Sequence, residues 1–320
     1  MRQIDVTVLF TSRNGESVIS RTLNAYRLIN QSDVSWKLVI VDNGSTDSTC
    51  EIINAFQQHL PIEVYCEPIA GKNRALNRGL QAVEGELVVL TDDDTLPSPS
   101  FLQAWAKFLD TKPEYGLFGG SISPLFESAA QSWLTADPYE MIMLFGARDL
   151  PEGPVEPQLI FGGNMAVRRS VFADGFRFNE NIGPNGLDFN YPMGGESEFC
   201  RRVGRAGISS WFAKEPVVQH LVRPYQLTDR YLAERAYRSG RGGACLLKME
   251  SGKLNEGEQL ELNGQILALR RGWRALRRGY RRHYDLLRCR VRMLSPFSSQ
   301  RRRGILGYYT NRGFWDEMSS

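Results

Sequence analysis

Three consecutive aspartates, Asp92 to Asp94, come one residue after a run of four apolar side chains, Leu87 to Leu90. A short continuous apolar run predicts a strand covered on both faces, and the carboxylates then lie where that strand reaches the edge of its sheet. Adjacent carboxylates repel one another unless they are solvated or share a cation. Their oxygens suit Mg²⁺ or Mn²⁺. The triplet therefore predicts a divalent metal site, with a solvated acidic turn as the alternative.

Other groups with chemical potential stand at strand ends or helix starts. Asp42 ends a predicted strand and can accept hydrogen bonds from a nucleobase, or it caps a helix. Lys72 and Arg74 follow a glycine, where their charges contact a diphosphate or face solvent. Glu196 begins a later helix and suits a general base, or it complements the helix dipole. His220 lies in an extended segment, where a metal ligand and a structural histidine are the two interpretations.

These groups need a framework that brings strand ends together, and the hydrophobic pattern provides one. Strands are predicted at 4–10, 38–41, 62–66 and 87–90, with helices between them. Strands alternating with helices predict an α/β fold with a mostly parallel sheet and flanking helices. Ligands bind beyond the carboxyl ends of such strands. The segment after the first strand, Asp42 and the aspartate triplet are therefore expected at one edge.

The second half of the chain carries weaker signals. We predict a turn at 95–99, a helix at 101–109, a strand at 117–125, and a loop at 138–157 that is rich in proline, glycine and acids. The segment 161–167 reads as a strand whose glycines allow a close approach to the backbone. A helix at 194–205, extended segments at 209–213 and 217–222, and a helical region beyond 228 complete the pattern.

Composition places the chain among ordinary globular proteins. Its 320 residues are 42% hydrophobic, and no apolar run is long enough to span a bilayer, so a cytoplasmic protein is expected. Five scattered cysteines without CxxC spacing indicate neither a disulfide framework nor a zinc site.

The net charge of +3 conceals an arginine-rich stretch. Between residues 266 and 303, arginines alternate with apolar residues at helical spacing, which is typical of a helix lying on an anionic membrane surface. This pattern predicts peripheral attachment to the cytoplasmic membrane face. Docking on the remainder of the chain, a protein partner and nucleic acid are the alternatives, and nucleic acid is not favoured.

Five motifs in order resemble the family 2 glycosyltransferases with the GT-A fold. They are Thr11 to Asn14, Val41 to Asp47, Gly71 to Gly79, Asp92 to Asp94, and Gly194 to Phe199. The resemblance covers about residues 4–240, so we predict a catalytic domain at 1–240 and a helical extension at 241–320. It implies a nucleotide diphosphate sugar donor, with a UDP-sugar favoured, a Mn²⁺ or Mg²⁺ ion, inversion at the anomeric carbon, and a glycan or lipid-linked acceptor.

The resemblance also assigns roles to individual residues. Donor binding is implied for Thr11, Arg13, Asp42, Lys72, Arg74, Asn77, Asp92 and Asp93, and metal binding for Asp92, Asp94 and His220. Glu196 is implied as the general base that takes the acceptor proton. Family members usually carry aspartate at this position, so the longer side chain is a departure whose backbone is expected to lie slightly farther from the acceptor.

Three other classes of protein are alternatives to a glycosyltransferase. A nucleotidylyltransferase or a dinucleotide-dependent oxidoreductase requires a glycine-rich phosphate loop after the first strand, and Thr11 to Gly15 is not such a loop. A basic scaffold or nucleic-acid-binding protein on an α/β fold is the non-enzymatic alternative.

Overall fold

The computed structural model describes residues 5–29, 34–186, 188–251, 309–310, 312–314 and 316–318. The chain divides into two compact units, Met1–Phe189 with Gly194–Leu227, and Asn190–Met193 with Thr228–Ser320. The arginine-rich stretch at 266–303 lies outside the described residues, and so does its predicted contact with a membrane.

The first unit is built from alternating strands and helices. Its strands are β1 (Val6–Ser12), β2 (Trp36–Asp42), β3 (Ile62–Cys66), β4 (Leu87–Thr91), β5 (Thr95–Pro97), β6 (Tyr115–Phe126), β7 (Gly153–Pro154), β8 (Asn164–Arg168) and β9 (Ser209–Val222). Its helices are α1 (Ile19–Arg27), α2 (Thr49–Phe56), α3 (Lys72–Gly79), α4 (Phe101–Thr111), α5 (Ser132–Thr135), α6 (Pro138–Phe145), α7 (Arg169–Ala173) and α8 (Gly195–Arg205).

The strands form one sheet in the order β3-β2-β1-β4-β8-β6-β9-β5, with β7 paired to β9. The four strands from β3 to β4 are parallel, so their carboxyl ends meet at one edge as the sequence predicts. Beyond β4 the pairings are antiparallel, except that β6 and β9 are parallel. Because β8 runs against β4, the amino end of β8 arrives at this same edge.

Two hydrophobic layers cover the central strands, which explains their continuous apolar runs. Alternate side chains such as Phe10 and Ile40 face the layer that contains α1 and α4. Their neighbours Leu9 and Val41 face the opposite layer, which contains α3 and α8. Both faces of β1, β2 and β4 are therefore buried, and only the strand ends remain available for polar chemistry.

The prediction of a turn at 95–99 is wrong for Thr95–Pro97, which forms the edge strand β5. The hydroxyl of Thr95 donates to the carbonyl of Asp92, which tightens the turn and brings the chain back into the sheet one residue after Asp94. Pro97 is tolerated because β5 is an edge strand and needs fewer backbone donors. In β5, Thr95 pairs with His220 of β9, and this pairing places Asp94 beside the histidine.

Two further differences concern the segments at 138–157 and 209–222. The loop predicted at 138–157 is wrong for Pro138–Phe145, which is helix α6. Its first residue is a proline, a residue favoured at the first helical position because the missing N–H has no helical acceptor there. The extended segments at 209–213 and 217–222 are parts of one strand, β9, whose register with β6 shifts between Gly120 and Ser121.

The second unit contains α9 (Asp229–Ser251), so the boundary predicted at 240 falls within a helix. A β-carbon on Gly240 would overlap the carbonyl of Thr310, and one on Gly242 would overlap that of Met193. These two glycines therefore allow close backbone contacts within this unit. No helix in the described part of the chain combines the length and apolar content needed to cross a membrane.

Candidate active site

The three aspartates after β4 point in three directions, which explains how the fold accommodates them. Asp92 Oδ1 lies 2.7 Å from Lys72 Nζ. Asp93 accepts a hydrogen bond from the hydroxyl of Ser12. Asp94 faces His220 and Arg223. Each carboxylate therefore has its own partner, and the turn spreads the negative charge over separate neighbours.

Lys72, the first residue of α3, joins two parts of the chain that are far apart in sequence. Its ammonium nitrogen lies 2.7 Å from Asp92 Oδ1 and 2.7 Å from Glu196 Oε1. Burial on its own lowers the pKa of Lys72, but the two carboxylates outweigh burial and hold the pKa well above its ordinary value. Lys72 is therefore a permanent cation between the aspartate triplet and the predicted base.

Asp93 turns toward the body of the protein. A β-carbon on Gly15 would lie 2.7 Å from Asp93 Oδ2, so the glycine makes room for this carboxyl group. Burial and the neighbouring charge of Asp94 raise the pKa of Asp93 to about 7, although the Ser12 hydroxyl opposes the shift. The triplet therefore carries less than three full negative charges near neutral pH.

Asp94 and His220 form a pair suited to a divalent ion. His220 Nε2 lies 3.5 Å from Asp94 Oδ1, while His220 Nδ1 lies 2.8 Å from the carbonyl oxygen of Phe145. The carbonyl partner on Nδ1 directs Nε2 toward Asp94, and such a partner on the other ring nitrogen is common around histidines that bind a metal. No group of three or more His, Cys, Asp or Glu side chains that could hold a metal ion occurs among the described residues.

The Asp94–His220 pair predicts a pH dependence of stability in the metal-free protein. Burial opposes ionisation of both groups, but Asp94 raises the pKa of His220, and His220 and Arg223 lower that of Asp94. A raised histidine pKa stabilises the fold below about pH 6.5, and this contribution disappears as the pH rises through the folded-state value. The lowered pKa of Asp94 matters only near and below about pH 4.

We therefore expect the midpoint of urea unfolding, measured in EDTA, to fall between about pH 6 and about pH 9 in part because of His220. His220→Gln should reduce this fall. His59→Gln changes an exposed histidine and serves as the control. An identical pH dependence in the wild type and in His220→Gln would contradict the prediction.

Glu196 reaches the strand edge from the first turn of α8. A β-carbon on Gly162 would lie 2.4 Å from Glu196 Cγ, so the side chain crosses the backbone of the segment before β8. The prediction that this glycine segment allows a close approach is thus confirmed. Glu198 instead forms an ion pair with Arg202 one turn later in the helix. Of the two acids at the start of α8, Glu196 lies beside Lys72.

The residues predicted to hold the nucleotide lie at the same edge of the sheet, and their contacts there are with other parts of the protein. Both carboxylate oxygens of Asp42 lie 3.3 Å from the backbone nitrogen of Ser45, and α2 begins only at Thr49, so Asp42 is not the cap of that helix. Thr11 is near the end of β1, and the exposed Arg13 lies against Gly186. Base binding by these residues remains a prediction.

Arg74 and Asn77 lie on the same helix as Lys72 but have different partners. Arg74 forms an ion pair with Glu180 at 2.9 Å. The amide of Asn77 donates to the carbonyl of Phe178 and accepts from its backbone N–H, both at 2.9 Å. These contacts hold the segment before α8, and the donor-binding roles of both residues remain predictions.

Sequence reasoning missed the role of Asn73. This buried side chain donates to the carbonyls of Asn179 and Ile182 at 2.7 and 2.9 Å, and it packs against the first residue of α8, Gly195. It helps to fix the position from which Glu196 extends. Its only signal is its place beside Lys72 at a helix start, which does not reveal a partner more than a hundred residues away.

Comparison with known proteins finds sequences similar to this chain. Residues 7–176, just over half of the 320, match the model described as Glycosyl transferase family 2. The uncharacterized glycosyltransferase alr2836 of Nostoc sp. is 30% identical over 116 residues, 35% of this chain and 35% of that relative. Glycosyltransferase AglE of Haloferax volcanii is 25% identical over 240 residues, 74% of this chain and 72% of the relative.

Solved structures share the architecture. The mannosyltransferase PcManGT from Pyrobaculum calidifontis, in complex with GDP-Man and Mn²⁺, has a TM-score of 0.56 at 18% identity, covering 78% of this chain and 65% of that chain. Residues 1–349 of S. aureus TarS, in complex with UDP-GlcNAc, give a TM-score of 0.54 at 14% identity, covering 80% and 78%. At these identities the likeness concerns the fold, and the predicted fold class is confirmed.

Proposed function

We propose that this chain, which belongs to glycosyl transferase family 2, transfers a sugar from a nucleotide diphosphate donor to an acceptor hydroxyl, with inversion at the anomeric carbon and with a bound divalent metal ion. Nucleotide sugars are bound in both structural neighbours, and Mn²⁺ in one of them, which supports this class of donor and cofactor. The neighbours differ in their base, so the preference for a UDP-sugar rests on the sequence alone.

The observation that carries the proposal is the double contact of Lys72. One ammonium group contacts Asp92 of the triplet and Glu196 of α8, so the two carboxylate oxygens are at most about 5.4 Å apart. A single-displacement transfer needs a carboxylate that accepts the acceptor proton on one side of the sugar and charge stabilisation for the departing diphosphate on the other. Glu196 and the Asp94–His220 pair supply these two functions within one edge of the sheet.

The residues divide the chemistry between them. Glu196 takes the proton from the attacking hydroxyl as the new bond to the anomeric carbon forms and the bond to the diphosphate breaks. Asp94 and His220 would hold the metal ion, with Asp92 as a further ligand or as a contact to the donor. When bound, such an ion neutralises charge on the leaving diphosphate. Lys72 balances the negative charge of both carboxylates before the donor enters.

Release of nucleotide tests the proposal directly. The full-length protein is incubated with UDP-sugars and GDP-sugars, with Mn²⁺ or with EDTA, and the nucleotides are separated by chromatography. We expect a nucleoside diphosphate to appear with at least one donor and only with metal. Pyrophosphate-dependent formation of a nucleoside triphosphate would instead indicate a nucleotidylyltransferase, and no conversion of any donor with any acceptor would favour a scaffold.

The acceptor and the location belong to the same proposal. We propose a glycan or lipid-linked acceptor in polysaccharide or glycolipid assembly, on the cytoplasmic face of a membrane to which residues 266–303 attach. Support for this attachment comes only from the alternation of arginines with apolar residues in the sequence.

A further inference from the structure

Arg148 is a buried cation close to the proposed site that the chemistry above does not use. It follows α6, and its backbone exchanges two hydrogen bonds with Ile122 of β6, at 2.8 and 2.9 Å. Its guanidinium carbon lies 3.5 Å from the centre of the Phe161 ring, and its Nε donates to the carbonyl of Leu159 at 3.0 Å. These contacts fix the plane and direction of the guanidinium group.

This guanidinium has no acidic partner among the described residues. Arg148 is only 7% exposed, and burial lowers its pKa to about 10 with no neighbouring charge contributing. A buried cation without a counter-ion destabilises the fold, and stacking on Phe161 alone would be served by an uncharged side chain. Its Nε donates to Leu159, and no hydrogen bond to another described residue uses its two terminal nitrogens, so these remain as donors for another group.

The position of Arg148 links it to the reacting groups. Phe161, on which it stacks, precedes Gly162, where a β-carbon would contact the Glu196 carboxylate. Ile122, its backbone partner, lies 3.5 Å from the β-carbon position of Gly163, and that position is 3.4 Å from Asp92 Oδ2. The two contacts of Arg148, Phe161 and Ile122, therefore adjoin the glycines that face the base and the triplet.

We propose that Arg148 binds an anionic group, a carboxylate or a phosphate, on the sugar that reacts at this site. The planar fork of a guanidinium matches either group through two parallel hydrogen bonds. Lys72 and Arg223, the cations described in the site, already face carboxylates. Arg148 is a buried cation beside the site whose charge no described acid balances, so it can offset the charge of an acidic sugar. The acidic group belongs either to the transferred sugar or to the acceptor, and the inference rests on the proposed function.

Ligand-observed NMR titrations of the full-length protein test this proposal without requiring turnover. The probes are glucuronate and glucose 6-phosphate, with glucose as the neutral reference. We expect at least one acid to bind the wild type about tenfold more tightly than glucose or better. Arg148→Gln should remove this preference and Arg148→Lys should retain part of it, whereas Arg27→Gln, which alters an exposed arginine of α1, should leave it unchanged.

Nucleotide sugars identify which substrate carries the acid. Tighter binding of UDP-glucuronate than of UDP-glucose with Mn²⁺, lost in Arg148→Gln, would assign it to the transferred sugar. Equal binding of the two, with glucuronate or glucose 6-phosphate still bound beside UDP, would assign it to the acceptor.

Failure of the wild type to prefer any acidic probe, free or nucleotide-linked, would overturn the inference, and so would an undiminished preference in a folded Arg148→Gln. Should Arg148→Gln not fold, the wild-type preference and Arg148→Lys decide the matter. If the protein releases nucleotide but does not prefer acidic sugars, the proposed function is supported and the inference about Arg148 is wrong.

Discussion

Replacing Glu196 with glutamine is expected to lower the rate of sugar transfer by about 10²–10⁴-fold, the usual contribution of a general base. Glutamine keeps the length of the side chain and its path across Gly162 but cannot accept a proton. Binding of the nucleotide diphosphate with Mn²⁺ should change little, because Glu196 pairs with Lys72, whereas the residues proposed to hold the metal are Asp94 and His220. Single-turnover transfer and calorimetric nucleotide binding, measured on the same preparation, separate the two effects.

Glu198→Gln is the matched control for this substitution. Glu198 lies two residues away in α8 and pairs with Arg202, so its loss removes a helical ion pair of small energetic value. Transfer by this variant should remain within about threefold of the wild type. A near-normal transfer rate in Glu196→Gln would show that another group accepts the proton.

The glutamate at position 196 also explains a departure from the family pattern. Its extra methylene group takes the carboxylate across the Gly162 backbone to Lys72, which anchors it at 2.7 Å. Glycine at position 162 therefore leaves room for the path of this side chain. The motif at 194–199 alone does not reveal this contact, because the two residues are distant in sequence.

The features that could be predicted from sequence are those encoded locally. The apolar runs of β1, β2 and β4 require two covered faces, and a parallel sheet then places Ser12, Asp42 and the triplet at one edge. This part of the fold follows from the hydrophobic periodicity of the strands and from the rule that the carboxyl ends of parallel strands meet at one edge of the sheet. The fold class and the glycosyltransferase family are confirmed for the same reason, since their motifs occur at these strand ends.

The features that escaped prediction depend on pairing between distant segments. The resemblance already assigned Asp94 and His220 to one metal site, but it did not predict β5, the strand that brings them together, which has three residues, ends in proline and shows no recognisable alternation. The solitary charge of Arg148 is recognisable only once its surroundings are known to lack an acid. Local patterns carry no information about such long-range neighbours, and these neighbours decide the charge balance of the site.

Replacing Asp94 with asparagine is expected to abolish most metal-dependent release of nucleotide. A metal ion contributes several kcal/mol to stabilising the leaving group, which corresponds to a loss of about 10³-fold or more. Asp94 is nearly buried, and its two oxygens face His220 at 3.5 Å and Arg223 at 3.0 Å. Asparagine preserves the shape but removes the charge that offsets a divalent ion, so Mn²⁺ affinity, followed by electron paramagnetic resonance, should fall with the rate.

Glu84→Gln is the control for the loss of an ion pair to a buried cation. Glu84 contacts Lys37 at 2.7 Å, and Lys37 lies near the start of β2, at the edge of the sheet opposite the candidate site. This control should bind Mn²⁺ and release nucleotide as the wild type does. A folded Asp94→Asn with unchanged Mn²⁺ affinity and an unchanged rate would place the metal elsewhere. A loss of Mn²⁺ affinity in Asp94→Asn, together with normal Mn²⁺ affinity in Glu196→Gln, would show that the two carboxylates have different functions. Asp94 would then stabilise the leaving group and Glu196 would accept the proton. The structure gives them different partners, since Glu196 pairs with Lys72 and Asp94 faces His220 and Arg223.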